Sequence, residues 1–173
     1  MRHSHFLSSL VGVLLAVSAV AIAQTPQPPP TFDAIFTGQL VIGPPNDVLN
    51  TTGPFGTRIH SPLTGGNLTD AKTGEVLATL LPTTDNGIIS NSGILFPSAV
   101  LPYVWKADGR LASIAVNGIG DMKTGSLSYA YVETDSPAYS WMNSNFFLFK
   151  VVVGSDPQAP EFTLYRVANT TKH

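Results

Sequence analysis

Cysteine is absent from all 173 residues. That excludes disulfides, thiol catalysis and thiolate metal sites, and leaves the fold resting on its apolar core. Charge is scarce as well: Lys and Arg number 9, Asp and Glu 11, and charged residues make up 12% of the chain. No basic run stands out, which argues against nucleic acid and anionic membrane as partners. Solubility then falls to Ser, Thr and Asn. Beyond the N-terminal segment the only histidines are His60 and His173. A two-histidine metal centre is therefore not expected, and no residue pattern calls for a cofactor. There is no G-x-S-x-G elbow. Gly66 is followed by Lys72-Thr73, but Ala71 stands where a phosphate loop needs glycine. No segment past the N-terminus shows helical periodicity with caps at both ends.

The N-terminus reads as a processing segment. Arg2, His3 and His5 precede the uncharged apolar run 6–22, and Ala21-Ile22-Ala23 fits the small-x-small cleavage rule. Residues 1–23 are expected to be a secretory signal peptide rather than a stable membrane anchor, because the run is short for a span and T-P-Q-P-P-P follows it. Secretion is the expected localisation, with a mature chain of 150 residues and a formal charge of −3. Residues 24–31 form a Pro-rich leader, 32–168 a single domain and 169–173 a tail. Asn50-Thr51-Thr52, Asn67-Leu68-Thr69 and Asn169-Thr170-Thr171 are glycosylation sequons, so Asn50, Asn67 and Asn169 are expected on surface loops.

What is present in abundance is alternation and turns. Phe32, Ala34, Phe36, Gly38, Leu40 and Ile42 alternate with more polar neighbours, as do Leu127, Tyr129 and Tyr131, and Phe162 and Leu164. This is the pattern of strands with one buried face. Segments 75–81, 88–96, 100–105, 111–119 and 146–153 are more continuously apolar. Asp108-Gly109 predicts a hairpin turn, and Lys72-Thr73-Gly74 and Lys123-Thr124-Gly125 predict others. With 15 glycines and 14 prolines, the chain predicts an all-β fold of about eight or nine strands, a closed antiparallel barrel or a sandwich. Gly65-Gly66, after Pro62, predicts a bend that a Cβ would obstruct.

Candidate chemistry is sparse. Arg58 and His60 are two apart, so on a strand they share a face. Inward, they would line a cavity with a cation and an imidazole; outward, they would form a polar surface beside a turn. Asp85, Asp121, Glu133 and Asp135 are possible acid–base groups, although Asp85-Asn86-Gly87, Asp121 and Asp135 also read as turn residues. Tyr103, Tyr129, Tyr131 and Trp105 suit either core or pocket wall.

Taken in order, G-T-R-I-H-S-P-L-T-G-G at 56–66, the stretch 103–109, N-G-I-G at 117–120, E-T-D-S-P-A-Y-S-W-M-N at 133–143 and a last strand near 164–167 form a recognisable series. The chain resembles a domain-of-unknown-function family of small β-barrels, common in bacteria and present as secreted fungal proteins. The resemblance implies a single antiparallel barrel similar to the lipocalin and calycin group, with a central cavity and no assigned reaction. The family's G-G-x-D-W is replaced here by Thr83-Thr84-Asp85-Asn86, with Asp85 the candidate to keep a carboxylate.

Three functions are carried forward. The first is binding of a small, largely apolar organic molecule in the barrel, with Arg58, Asn117 and Trp105 as ligand-binding residues. The second is an isomerase, dehydratase or cyclase using His60, Asp85 and Tyr103 as acid–base catalysts. The third is a cell-surface or effector protein acting through its outer face. Oligomeric state is not legible. Cavity volume and lining separate the three.

Overall fold

The computed structural model describes residues 29–168. The expected signal peptide, most of the Pro-rich leader and Asn169 lie outside them. The described chain is almost entirely strand: β1 (Phe32–Ile42), β2 (Leu49–Gly53), β3 (Gly56–Asp70), β4 (Val76–Leu80), β5 (Thr83–Asp85), β6 (Ile88–Ser90), β7 (Leu95–Phe96), β8 (Ser98–Trp105), β9 (Leu111–Asp121), β10 (Gly125–Thr134), β11 (Phe147–Val152) and β12 (Glu161–Val167). Short 3₁₀ turns at Pro45–Asp47 and Ser140–Ser144 complete the list. No helix among the described residues is long and apolar enough to cross a membrane.

The strands close on themselves. β1 pairs with both β12 and β3, and β8 through β12 pair in succession. Between β3 and β8, β4 and β5 share one position: β4 pairs with the far half of β8 and β5 with Ala99 near its start. The result is an eight-stranded antiparallel barrel. Closure removes the exposed edges an open sheet would carry. β2 pairs only with β3, and the β6–β7 hairpin bridges β3 to β9. The continuous apolar segment 88–96 is thus two short strands, because Ser90 accepts the Ile94 N–H at 3.0 Å and reverses the chain.

The glycine pair marks the bend in β3. Before it, 61–63 pair with β5; after it, 67–69 pair with β4. Against β1 the register slips between Leu63 and Gly65, so Thr64 is a bulge. That extra residue keeps Leu63 and Leu68 both buried although they are an odd number of residues apart. A bulge in β1 between Ala34 and Phe36 does the same there, and it overrides the strict alternation expected from Phe32: Phe32 and Ala34 are exposed while Phe36 is buried.

One inference from alternation is reversed. In β10 the small residues Ser128 and Ala130, with Val132, are buried, whereas Leu127, Tyr129 and Tyr131 stand outside at 49–53% exposure. The interior at that level is already occupied by Phe149 and Phe162, stacked with ring centroids 4.6 Å apart. Only small side chains fit opposite them.

One end of the barrel is plugged. Trp105 stacks on Tyr139 with centroids 3.6 Å apart, Phe36 abuts both rings, and Met142 is fully buried. Asn143 latches this segment: its side-chain oxygen accepts the Thr134 N–H at 2.8 Å and its amide donates to the Thr134 carbonyl at 2.9 Å. The Y-S-W-M-N stretch therefore does structural work, satisfying the end of β10 where no strand continues.

Candidate functional site

The opposite end of the barrel is hollow. An interior cavity of about 180 Å³ lies among the late residues of β1, β9 and β11 and the early residues of β8 and β10. Its walls are mainly apolar: Leu40, Ile42, Leu63, Leu101, Phe149 and Val151. For comparison, an apolar cavity of about 150 Å³ admits benzene. A larger hollow of about 780 Å³, bounded by Arg110, Tyr131, Glu133 and Asp135, is an open depression on the outer surface at the plugged end. It encloses nothing, so the interior cavity is the better site.

Five polar side chains face the cavity: Ser61, Asp85, Asp121, Ser126 and Ser128. Asp85 closes β5 and is half-buried at the mouth. Its Oδ1 accepts the Ser98 N–H at 3.1 Å, and the Gly87 N–H also points to the carboxyl. Burial pushes the Asp85 carboxyl above its ordinary range, while those two N–H groups pull it down; burial prevails. Asp121 is committed to its own turn, its Oδ1 accepting from Lys123 N–H at 2.8 Å and Thr124 N–H at 3.2 Å. Ser128 is only 3% exposed and lines the cavity. It lies over Gly118, where any Cβ would run into the Ser128 hydroxyl and the Leu127 carbonyl. The glycine of N-G-I-G therefore makes room for this serine.

Arg58 and His60 share a face, and it is the outer one. Ile59, Ser61 and Leu63 take the inner positions of β3. Both outer side chains grip the turn after Asp85: Arg58 Nη1 donates to the Asn86 carbonyl at 2.7 Å, and His60 Nδ1 lies 2.7 Å from Asn86 Oδ1. Because the Asn86 amide donates to the Thr84 carbonyl at 3.3 Å, its oxygen is the group that meets the imidazole N–H. Arg58 and His60 thus hold the strand end that carries Asp85, from the side away from the cavity.

Asn117 also lies on the outer face, where its Oδ1 accepts from Ser98 Oγ at 2.9 Å. Tyr103 and Trp105 point inward but sit beyond the cavity, both fully buried. Trp105 Nε1 donates to Thr134 Oγ1 at 3.0 Å within the plug. The Tyr103 hydroxyl has no partner, and burial pushes its pKa far up. Of the six residues given a binding or catalytic role from sequence, the fold brings Asp85 alone to the cavity wall, where Asp121, named only as a possible acid–base group, joins it. The three serines escaped notice because serine at alternate positions of a strand reads as a solvent face. The signal that finds Ser128 is the glycine paired opposite it, Gly118.

Asp85→Asn keeps the acceptor for Ser98 N–H and removes the charge. A carboxyl whose folded pKa lies above its unfolded value favours folding most below the unfolded pKa, and that contribution is lost as pH rises through the folded pKa. The variant is therefore expected to be more stable than the parent at pH 7, on the order of 1 kcal/mol, and indistinguishable from it in acid. Denaturant unfolding at pH 7 and pH 3 checks this; equal stability at both would mean the carboxyl is well solvated.

No family model and no curated protein matches the sequence. Solved structures do. A β-barrel-like protein from Acinetobacter baumannii AYE is 20% identical, with 84% of this chain and 100% of that one covered at a TM-score of 0.69. A conserved protein of unknown function from Rhodopseudomonas palustris is 21% identical, with 82% and 100% covered at 0.69. A protein from Penicillium herquei described as an enzyme is 17% identical, with 84% and 99% covered at 0.60. At these identities the likeness is one of fold: one of these structures is itself described as β-barrel-like, and the chain spans nearly the whole length of each.

Proposed function

We propose that the protein binds a small, largely apolar organic molecule in the hollow end of its barrel. The observation that carries this is the partly enclosed cavity of about 180 Å³, apolar on most sides and bearing a half-buried carboxyl at its mouth. Small-molecule sites combine apolar walls with a few placed polar groups in this way. The volume suits a single ring or a short branched chain, not a long lipid. Secretion and a glycan on Asn50 belong to the same proposal. Asn50 sits on the fully exposed β2, whereas Asn67 is half-buried in β3 with its oxygen accepting the Gln39 N–H. N-terminal sequencing and peptide mass spectrometry of protein recovered from medium would show a start at Gln24 and a glycan at Asn50; a retained 6–22 segment would refute secretion.

Toluene followed by amide NMR tests the binding itself. Ser98, Ala99 and Ser128 amides are expected to shift on saturation. Ala99→Leu, which extends a side chain into the cavity, is expected to abolish those shifts, and His60→Ala to preserve them. Shifts confined to the outer face, or none, would overturn the proposal.

A second reading, acid–base catalysis of an isomerisation, dehydration or cyclisation, is favoured by the raised Asp85 carboxyl, since such groups collect at reacting centres. The Penicillium herquei structure is compatible with it. In this fold Asp85 would act with the cavity serines, because His60 lies on the other side of the sheet.

A further inference from the structure

Resting on the ligand-binding proposal, we infer that the cavity selects molecules presenting a hydrogen-bond donor, a primary ammonium above all, and rejects carboxylates. The sequence offered a cation, Arg58, as a ligand-binding residue, and a cation in the cavity would favour an anionic group. The fold turns Arg58 outward, where it is occupied by the Asn86 carbonyl. Among the residues lining the cavity there is no lysine, arginine or histidine, and there are two carboxyls, Asp85 and Asp121. The nearest cation to the mouth in sequence, Lys123, belongs to the exposed turn that Asp121 organises and does not line the cavity.

The two carboxyls differ in what they have left to offer. Asp121 spends one oxygen on two backbone N–H groups of its turn and contributes a negative charge at the rim. Asp85 receives the Ser98 N–H at Oδ1, with the Gly87 N–H also directed at the carboxyl, and both of these donors are backbone groups. A carboxylate held by two backbone N–H groups in a low-dielectric setting keeps lone pairs for a further donor. An ammonium placed there offsets the desolvation that opposes the Asp85 charge.

Ser128 is the second, independent indication. The residue is 3% exposed and lines the cavity. A hydroxyl on a mainly apolar wall offers a ligand one directional hydrogen bond. The charge sits at the mouth and the apolar walls lie deeper. The ligand therefore enters with its hydrocarbon part first and leaves its polar head beside Asp85. A carboxylate head would meet two like charges with no cation to neutralise it.

Toluene, benzyl alcohol, benzylamine and benzoate share one ring and differ in the head group. Their affinities at pH 7 and low salt, read from amide NMR shifts at Ala99 and Ser128, test the inference. Benzylamine is expected to bind about 10- to 100-fold more tightly than toluene, the scale of one charge-assisted hydrogen bond, with benzyl alcohol between them and benzoate weakest. In Asp85→Asn, benzylamine should fall to the level of toluene while toluene is unchanged. In Ser128→Ala, benzyl alcohol should lose affinity. If none of the four probes shifts the cavity amides, the binding proposal itself fails. If toluene binds and benzoate matches or exceeds benzylamine, binding stands and the selectivity inferred here is overturned. Equal affinities for toluene and benzylamine overturn it too.

Discussion

Trp105→Ala is expected to cost about 3–5 kcal/mol, the range for truncating a large buried aromatic, and to lower the melting temperature by on the order of 10 °C. The residue is fully buried, stacked on Tyr139 at 3.6 Å and in contact range of Phe36, with centroids 6.2 Å apart. Its removal would empty the plug rather than the ligand cavity. The Nε1–H bond to Thr134 would vanish as well, although Thr134 Oγ1 keeps its own acceptor, the Leu111 carbonyl. Trp105→Phe retains most of the packing and should recover more than half of the loss. Thermal unfolding of the three proteins gives the comparison. The companion measurement is toluene binding well below the melting point, which should be nearly unchanged, because Trp105 does not line the cavity. A large loss of affinity in a folded Trp105→Phe protein would return the residue to the binding site.

Gly66→Val is expected to destabilise by about 1–3 kcal/mol. Gly66 has φ +154° and a Cβ built on it would strike the Gln39 carbonyl of the neighbouring strand. Valine adds a branch at the point where β3 changes partners from β5 to β4. Its neighbour is the control: a Cβ on Gly65 meets only the Leu80 carbonyl at 4.0 Å, so Gly65→Ala should be almost neutral. Denaturant unfolding of both variants tests the pair. If Gly65→Ala and Gly66→Val cost the same, the bend does not depend on the close approach of β1. Because β5 carries Asp85 and pairs with β3 just before the bend, Gly66→Val should also weaken binding in the cavity, whereas Trp105→Ala should not.

Much of the architecture was legible from local chemistry. The hairpin at Asp108-Gly109 forms as expected, with the Arg110 N–H accepted by Asp108 Oδ1 at 3.1 Å. Phe162 and Leu164 are buried, as their alternation suggested. Turn residues and period-two patterning act over a few residues, so their consequences can be read without knowing the rest of the chain. The bend beside the Thr64 bulge was announced by glycines. The bulge near Ile35 was not, because no glycine or proline marks it and only the pairing of β1 with β12 and β3 exposes it.

By itself, then, the sequence determined an all-β chain without disulfides, the places where it turns, and the sharing of a face by residues two apart. Which face looks inward was decided only by closure of the barrel. Alternation is symmetric between the two sides of a sheet, and what breaks the symmetry is the volume available inside. Phe149 and Phe162 fill the interior across from β10, so Ser128 and Ala130 turn in and Tyr129 and Tyr131 turn out. On β3, Ile59 and Leu63 claim the apolar side and carry Ser61 with them, which sends Arg58 and His60 to the surface. That choice of side keeps the β3 cation out of a cavity that holds two carboxyls, from the ends of β5 and β9.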